Sequence, residues 1–60
     1  MPKVNLNEIK RRRKELRISQ AAMADRMYMH ENTYQRKEKG HIPFHPDEIQ
    51  RLGKILNRVF

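Results

Sequence analysis

The sequence contains no cysteine and no tryptophan, and it has only two glycines among its 60 residues. Without cysteine the chain can form neither a disulfide nor a thiolate zinc site, the devices that commonly stabilise very small domains. No apolar run approaches the roughly 20 residues that span a bilayer, and the first residues lack the apolar core of a signal peptide. We therefore expect a domain that folds on its apolar core and has no membrane anchor.

Acidic residues are also scarce. Seven Asp and Glu stand against 14 Lys and Arg, which gives a formal net charge of +7. A charge of that size on a small body favours a polyanionic partner, although a basic surface can also serve solubility alone. The basic run over residues 10–14 could be read as a targeting signal, but on a helix it is more simply a solvated face close to phosphates.

Residues suited to catalysis or metal binding are few. There is no cysteine nucleophile and no glycine-rich phosphate loop, and a body this small does not easily close a cleft. Ser19 is better placed to cap a helix than to join a catalytic triad. His41 and His45 could be offered as metal ligands, but they lie in a loop interrupted by Pro43, and the chain has no thiolate to join them. We expect no enzyme, no metal site and no cofactor.

Hydrophobic periodicity predicts four helices, the first of which covers residues 6–16. Asn5 is a good N-cap for it, and Ile9, Arg13 and Leu16 share its inward face at i, i+4 and i+7. A charge on this inward face needs a partner elsewhere in the fold. The other basic residues of this segment are expected to point outward: Lys10, Arg11, Arg12, Lys14 and Arg17.

The stretch from Ser19 to Gly40 predicts two short helices joined by a tight break. Ser19 caps the first helix, and the break falls at residues 28–30. The second helix runs from about Glu31 to the helix-ending Gly40. Two helices this short must pack on each other, which leaves the outer face of the second one polar: Glu31, Asn32, Gln35, Arg36 and Lys39. A polar helix on a basic domain suits the DNA major groove.

A fourth helix is predicted to begin at Pro46, since proline suits the first helical turn. Its buried stripe is Ile49, Leu52, Ile55 and Leu56, and Gly53 would allow a neighbouring helix to approach closely. Apart from this stripe, the predicted core consists of Ile9, Leu16, Ile18, Met23, Ala24, Met27, Met29, Tyr34 and Phe44.

The stretch from Ser19 to Gly40 resembles the helix-turn-helix of the Cro/phage-repressor (XRE-type) regulators. The positions that fill the pattern of that family are Ser19, Gln20, Met23, Ala24, Met27, Met29, Thr33, Tyr34, Arg36, Glu38 and Gly40. A weaker match extends from Ile9 to Asn57. The resemblance implies an all-α, lambda-repressor-like fold. It would be a four-helix domain over residues 1–60, or a five-helix domain that lacks its last helix, with the helix-turn-helix at 19–40.

Three residues depart from the family pattern. Tyr28 replaces the usual turn glycine, so it must accept a positive φ or the turn must be drawn differently. His30 stands where Ser or Thr would cap the next helix. Lys37 stands where an apolar residue normally faces the core, and we expect its stem to cover the core edge while its ammonium reaches solvent or a phosphate.

The resemblance also implies roles for the polar residues. Helix 31–39 would be the recognition helix, with Glu31, Asn32 and Arg36 at base-reading positions and Gln35 on the same face. Asn suits adenine, Arg suits guanine, and Glu can accept only from cytosine. Glu31 is alternatively an acid that complements the helix dipole. Phosphate contacts are expected from Ser19, Gln20, His30, Thr33 and Lys39.

For Gln20 and His30 the predicted role is more specific. Gln20 resembles the phosphate clamp of the family, which joins a side-chain donor to free backbone N–H groups. His30 either reaches a phosphate or simply occupies the N-cap position. In addition, Glu38 is the recurrent acid of the family at the end of this helix, and we expect it to form a partly buried ion pair with Arg13.

The function implied is a sequence-specific regulator of transcription that binds double-stranded DNA. It would be a small Cro-like repressor of a phage or mobile element, in the cytoplasm of a bacterium or phage-infected cell. We expect a homodimer on a roughly palindromic operator, held by the fourth helix and residues 59–60 or formed only on DNA. The alternatives are an antitoxin-like protein-interaction module, which neutralises a toxin and can also bind its own operator, and a bundle that binds RNA or other polyanions. RNA binding has less support, because Tyr28 is the main candidate for an exposed stacking ring.

Overall fold

The computed structural model describes residues 4–60, and within this range it contains four α-helices and no strand. The helices are α1 (Leu6–Glu15), α2 (Gln20–Arg26), α3 (Glu31–Lys39) and α4 (Pro46–Leu56). The predicted all-α fold of four helices is therefore confirmed for the described residues.

Side chains cap the first two helices as the sequence predicts. The Asn5 side-chain oxygen accepts from the backbone N–H groups of Asn7 and Glu8, at 3.1 and 3.2 Å. The Ser19 hydroxyl oxygen accepts from the Ala22 N–H at 3.0 Å. Each cap satisfies donors that a helix start otherwise leaves free, which fixes where α1 and α2 begin.

The turn between α2 and α3 depends on Tyr28, which has a φ of +57°. Its side chain stays at the surface, 83% exposed, with the Arg51 guanidinium carbon 4.9 Å from the ring centroid. This is cation–π geometry. The Met29 N–H then donates to the Ala24 carbonyl at 3.0 Å and closes the end of α2. Tyr28 therefore takes the positive φ that its place in the turn predicts, and it does so without glycine.

The core lies where the four helices meet. Its fully buried apolar residues are Ile9, Met23, Ala24, Met27, Tyr34, Leu52 and Leu56. The partly buried apolar residues packed against them are Val4, Leu6, Ile18, Met29, Phe44, Ile55 and Phe60. Burial of this apolar surface is the main source of stability in a chain without cross-links.

Two predicted core positions are wrong. Leu16 is 38% exposed, because α1 ends at Glu15 and Leu16 already occupies the C-cap, where helical spacing no longer applies. Ile49 is only half-buried, and it borders a surface groove between α4 and the C-terminal residues. The buried surface of α4 is centred on Leu52 and Leu56 instead.

Two further predictions are corrected where α1 meets the end of α4. Arg12 does not point outward, because its Nε donates to the Leu56 carbonyl at 2.8 Å. This places a positive charge at the C-terminus of α4, where the helix dipole favours a cation. Gly53 makes room for backbone rather than for another helix, since a Cβ there would lie 2.7 Å from the Arg58 carbonyl oxygen. Both residues thus shape the end of α4.

Candidate nucleic-acid interface

The inner face of α3 is fixed by a cluster of side chains around Glu38. The Arg13 Nε lies 2.9 Å from Glu38 Oε2, and a second guanidinium nitrogen lies 3.0 Å from Oε1. The Tyr34 hydroxyl donates to Oε2 at 2.6 Å, and the Gln20 amide donates to Oε1 at 3.1 Å. The Glu38 carboxylate therefore joins α1, α2 and α3. Its contact with Arg13 is the ion pair that the sequence predicts.

The titration of this cluster follows from its donors. Burial alone would raise the pKa of Glu38, but the hydrogen bonds from Arg13, Tyr34 and Gln20 outweigh it and hold that pKa below its usual value. Burial first, and then the bond to the Glu38 carboxylate, raise the pKa of Tyr34 well above its ordinary value. At neutral pH the cluster thus pairs an ionised Glu38 with a neutral phenol.

Lys37 is bonded within the fold, contrary to the sequence prediction that its ammonium reaches solvent or phosphate. The residue is 6% exposed, and its Nζ lies 2.6 and 2.8 Å from the two carboxylate oxygens of Glu48. Glu48 also accepts from the His45 backbone N–H at 2.8 Å, at the start of α4. Burial raises the pKa of Glu48, but these two donors outweigh it and lower that pKa overall. Lys37 therefore joins α3 to α4 and belongs to the scaffold.

The outer face of α3 carries the predicted base-reading residues. Glu31, Asn32 and Arg36 are exposed, and Gln35 is half-buried. Four of the residues that line a groove along this face come from α3 and two from the following loop: Asn32, Gln35, Arg36, Lys39, His41 and Ile42. The structure thus brings most of the predicted reading residues together on one surface.

Two residues of this groove, His41 and Ile42, were not predicted as part of the site. The sequence shows them only as members of a loop, and their place beside α3 depends on how Gly40 turns the chain. Gly40 has a φ of +89°, and the His41 N–H donates to the Arg36 carbonyl at 2.9 Å. The left-handed end of α3 was the one signal for this placement, since it folds the next residues back onto the helix.

Donors on the outer face have few partners inside the protein. Within residues 4–60, neither Arg36 nor Lys39 forms an ion pair with an acid. Both belong to the last turn of α3 and both are exposed. The one side-chain bond along this face joins the Gln35 amide nitrogen to the Glu31 carboxylate at 3.0 Å. The face therefore offers cationic donors that a polyanion can use.

The residues predicted to contact phosphates lie around the same region of the helix pair. The Ser19 hydroxyl still has its hydrogen to donate, because its oxygen acts as the acceptor in the cap. The Gln20 amide is oriented by Glu38, as described above. His30 is exposed at the N-cap of α3 and makes no side-chain capping bond, while Thr33 is half-buried. The phosphate-contacting roles of these residues stay predictions.

Comparison with known proteins identifies the arrangement of α2 and α3. A family model described as helix-turn-helix matches residues 9–59, which is most of the chain. The chain belongs to the XRE/Cro-type helix-turn-helix family. This family consists of DNA-binding, non-enzymatic domains, so the protein is a DNA-binding helix-turn-helix regulator. Searches of curated proteins and of solved structures each gave no match.

The part of the chain that the structure describes contains neither a candidate membrane span nor a candidate metal cluster. None of the helices there has both the length and the apolar composition needed to cross a membrane. Over residues 4–60 there is also no group of three or more His, Cys, Asp or Glu side chains that could hold a metal ion.

Proposed function

We propose that this XRE/Cro-type regulator is a sequence-specific repressor that binds double-stranded operator DNA with α3 in the major groove. The observation that carries the proposal is the outer face of α3, where Asn32 is exposed and the exposed Arg36 and Lys39 form no ion pair with the acids of the described chain. An α-helix fits into the DNA major groove. The amide and cationic groups on this face can donate hydrogen bonds to acceptors on base edges and phosphates.

Base reading falls to side chains along the outer face of α3, from its first turn to its last. Arg36 suits guanine, because its guanidinium can donate to both O6 and N7, and Asn32 suits adenine. Glu31 and Gln35 complete the base-facing set on the same surface. Their different chemistries would give the operator a mixed sequence rather than a uniform one.

Phosphate contacts fall to residues that flank this surface: Ser19, Gln20, His30, Thr33 and Lys39. Gln20 is supported by its bond to Glu38, which holds its amide in place before DNA arrives. A contact made by a preordered side chain loses less conformational entropy on binding. These contacts would position the domain without carrying sequence information.

We further propose that the regulator acts as a homodimer on a palindromic site. The support is an apolar groove between α4 and the C-terminal residues, beside which Val59 is 99% exposed. A repressor of this type would serve a phage or mobile element and act in the cytoplasm of its host. The antitoxin-like alternative is not favoured, because the family match points to DNA rather than to a toxin partner.

A selection of genomic DNA fragments on the purified protein tests this function. We expect enrichment of one or a few fragments that share an inverted repeat, with half-site centres about 10 base pairs apart. A matched control protein carries Ala at Asn32, Arg36 and Lys39, and it should enrich no motif while its circular dichroism stays that of the parent. If the parent enriches only random fragments, sequence-specific regulation is refuted.

A further inference from the structure

The reading face contains one hydrogen bond that bears on sequence preference. The Nε2 atom of Gln35 donates to Oε2 of Glu31 at 3.0 Å, one helical turn apart. Glu31 is exposed at the first position of α3, and Gln35 is half-buried beside the groove that Arg36 and Lys39 line. Both residues thus lie where a base edge would approach.

The carboxylate decides which way the Gln35 amide faces. An ionised carboxylate can only accept, so a flipped amide would set its carbonyl oxygen against Glu31 oxygens, with no hydrogen between them. The bond therefore selects the orientation in which Nε2 faces Glu31. It uses one of the two amide hydrogens. When this is the hydrogen that points away from the carbonyl oxygen, the hydrogen on the oxygen side and the oxygen itself stay available.

One free N–H beside one free carbonyl oxygen is the pair of groups that matches adenine. In the major groove adenine presents an acceptor at N7 and a donor at N6, and an amide can bond both at once. Glu31 by itself offers only acceptors, and one of its oxygens is already bonded to Gln35. The amide is therefore the better reader of the two, and the carboxylate is its support.

We propose that Glu31 is a positioning residue, which aims the Gln35 amide at an adenine instead of reading a base itself. The proposal rests on the proposed docking of α3 in the major groove. In free protein an exposed i, i+4 bond contributes little to stability. On DNA the same bond sets base preference, because a freely rotating amide would have to be ordered at a cost in entropy during binding.

The test is a selection from randomised operators with the parent, Glu31→Ala, Glu31→Gln and Gln35→Ala. We expect the parent to prefer adenine at one base pair and Gln35→Ala to lose that preference. Glu31→Ala should weaken the preference at the same base pair by about fivefold or more, the lower range for a bidentate base contact. Glu31→Gln should retain it, since its carbonyl oxygen can still accept from Gln35.

Several outcomes would overturn the proposal. If Glu31→Ala changes the preference at a different base pair, Glu31 is itself a reader, and if it changes nothing, the bond has no role. If Glu31→Gln behaves like Glu31→Ala, the negative charge acts rather than the acceptor. A further loss of adenine preference when Glu31→Ala is added to Gln35→Ala also contradicts positioning. If the parent itself selects no sequence, the proposed function fails and this inference fails with it. If the parent selects a sequence and Glu31→Ala changes nothing, only this inference fails.

Discussion

The two faces of α3 both carry charged side chains, but within residues 4–60 only those on the inner face are paired with charges elsewhere in the protein. On the inner face, the charged groups of Lys37 and Glu38 are bonded to other helices at 2.6–3.0 Å. On the outer face, Arg36 and Lys39 have no acidic partner within the described chain. Burial imposes this difference, because a charge away from water must be paired whereas an exposed charge need not be. The inner face therefore holds the helix, and the outer face remains available to bind DNA.

The two inner ion pairs also differ from each other. Glu38 accepts from one charged and two neutral side chains and joins three helices. Glu48 accepts from Lys37 and from the His45 backbone, and it joins only α3 to the start of α4. We therefore expect changes at Glu38 to be the more damaging of the two.

The largest effect is expected for Glu38→Ala. This change leaves Arg13, Tyr34 and Gln20 without their shared acceptor, and breaking a buried pair costs on the order of 3 kcal/mol or more. That is a large share of the stability of so short a chain, so we expect partial or complete unfolding at 37 °C. Thermal melting by circular dichroism measures it.

The matched control for Glu38→Ala is Glu31→Ala, the same substitution on the outer face of the same helix. It should shift the midpoint of melting only slightly, because Glu31 is exposed and bonded only to Gln35. Equal melting curves for the two variants would mean that the two faces do not differ as described.

A smaller effect is expected for Lys37→Leu. The change fills the core edge with an apolar side chain but leaves the Glu48 carboxylate without its main partner, at a cost of about 1–3 kcal/mol. Adding Glu48→Gln should recover most of the loss, since a neutral amide can still accept from the His45 N–H. Denaturant unfolding measures both variants. A single variant as stable as the parent would show that the pair contributes nothing.

Lys39→Ala should leave the fold intact and change only how DNA binding depends on salt. Loss of one phosphate contact from each protomer lowers the slope of log K against log salt by about 0.9 per protomer, or about 1.8 for a dimer on its operator. Lys54→Ala on α4 is the charge-matched control, because Lys54 borders the groove proposed for the dimer contact and not the groove along α3. Compared with the parent in the same oligomeric state, it should leave the slope near the parental value. The result is read from binding isotherms at several salt concentrations. Equal slopes for Lys39→Ala and the parent would remove Lys39 from the interface.

Local signals in the sequence sufficed for much of this fold. The N-caps at Asn5 and Ser19 mark the helix starts seen in the structure, because capping depends on residues only two or three positions away. For Tyr28 the turn pattern left two options, a positive φ or a differently drawn turn, and the structure has the positive φ. The pair of Arg13 and Glu38 was expected from one charge on a buried stripe and from the family pattern.

The errors have a common physical origin in long-range packing. The ammonium of Lys37 was predicted to reach solvent or a phosphate. This was wrong because its partner Glu48 lies on the next helix, and the path of the intervening loop cannot be inferred from the sequence. Arg12 was predicted to point outward because no residue near it in the sequence indicates that the end of α4 lies beside it. Leu16 was placed in the core by extending a helical period one residue past the end of the helix. At the site, the same limit hid the contribution of residues 41–42.

The central claim is that the outer face of α3 reads DNA sequence, and Arg36 tests it most directly. The measurement is a selection from randomised operators run in parallel with the parent and Arg36→Ala. We predict that the variant folds as the parent does, binds the parental operator about 1–3 kcal/mol more weakly for each half-site and loses its preference at one base pair of each half-site, where the parent selects guanine. Identical sequence logos from the two proteins would contradict the account, because α3 would then not be the helix that reads the operator.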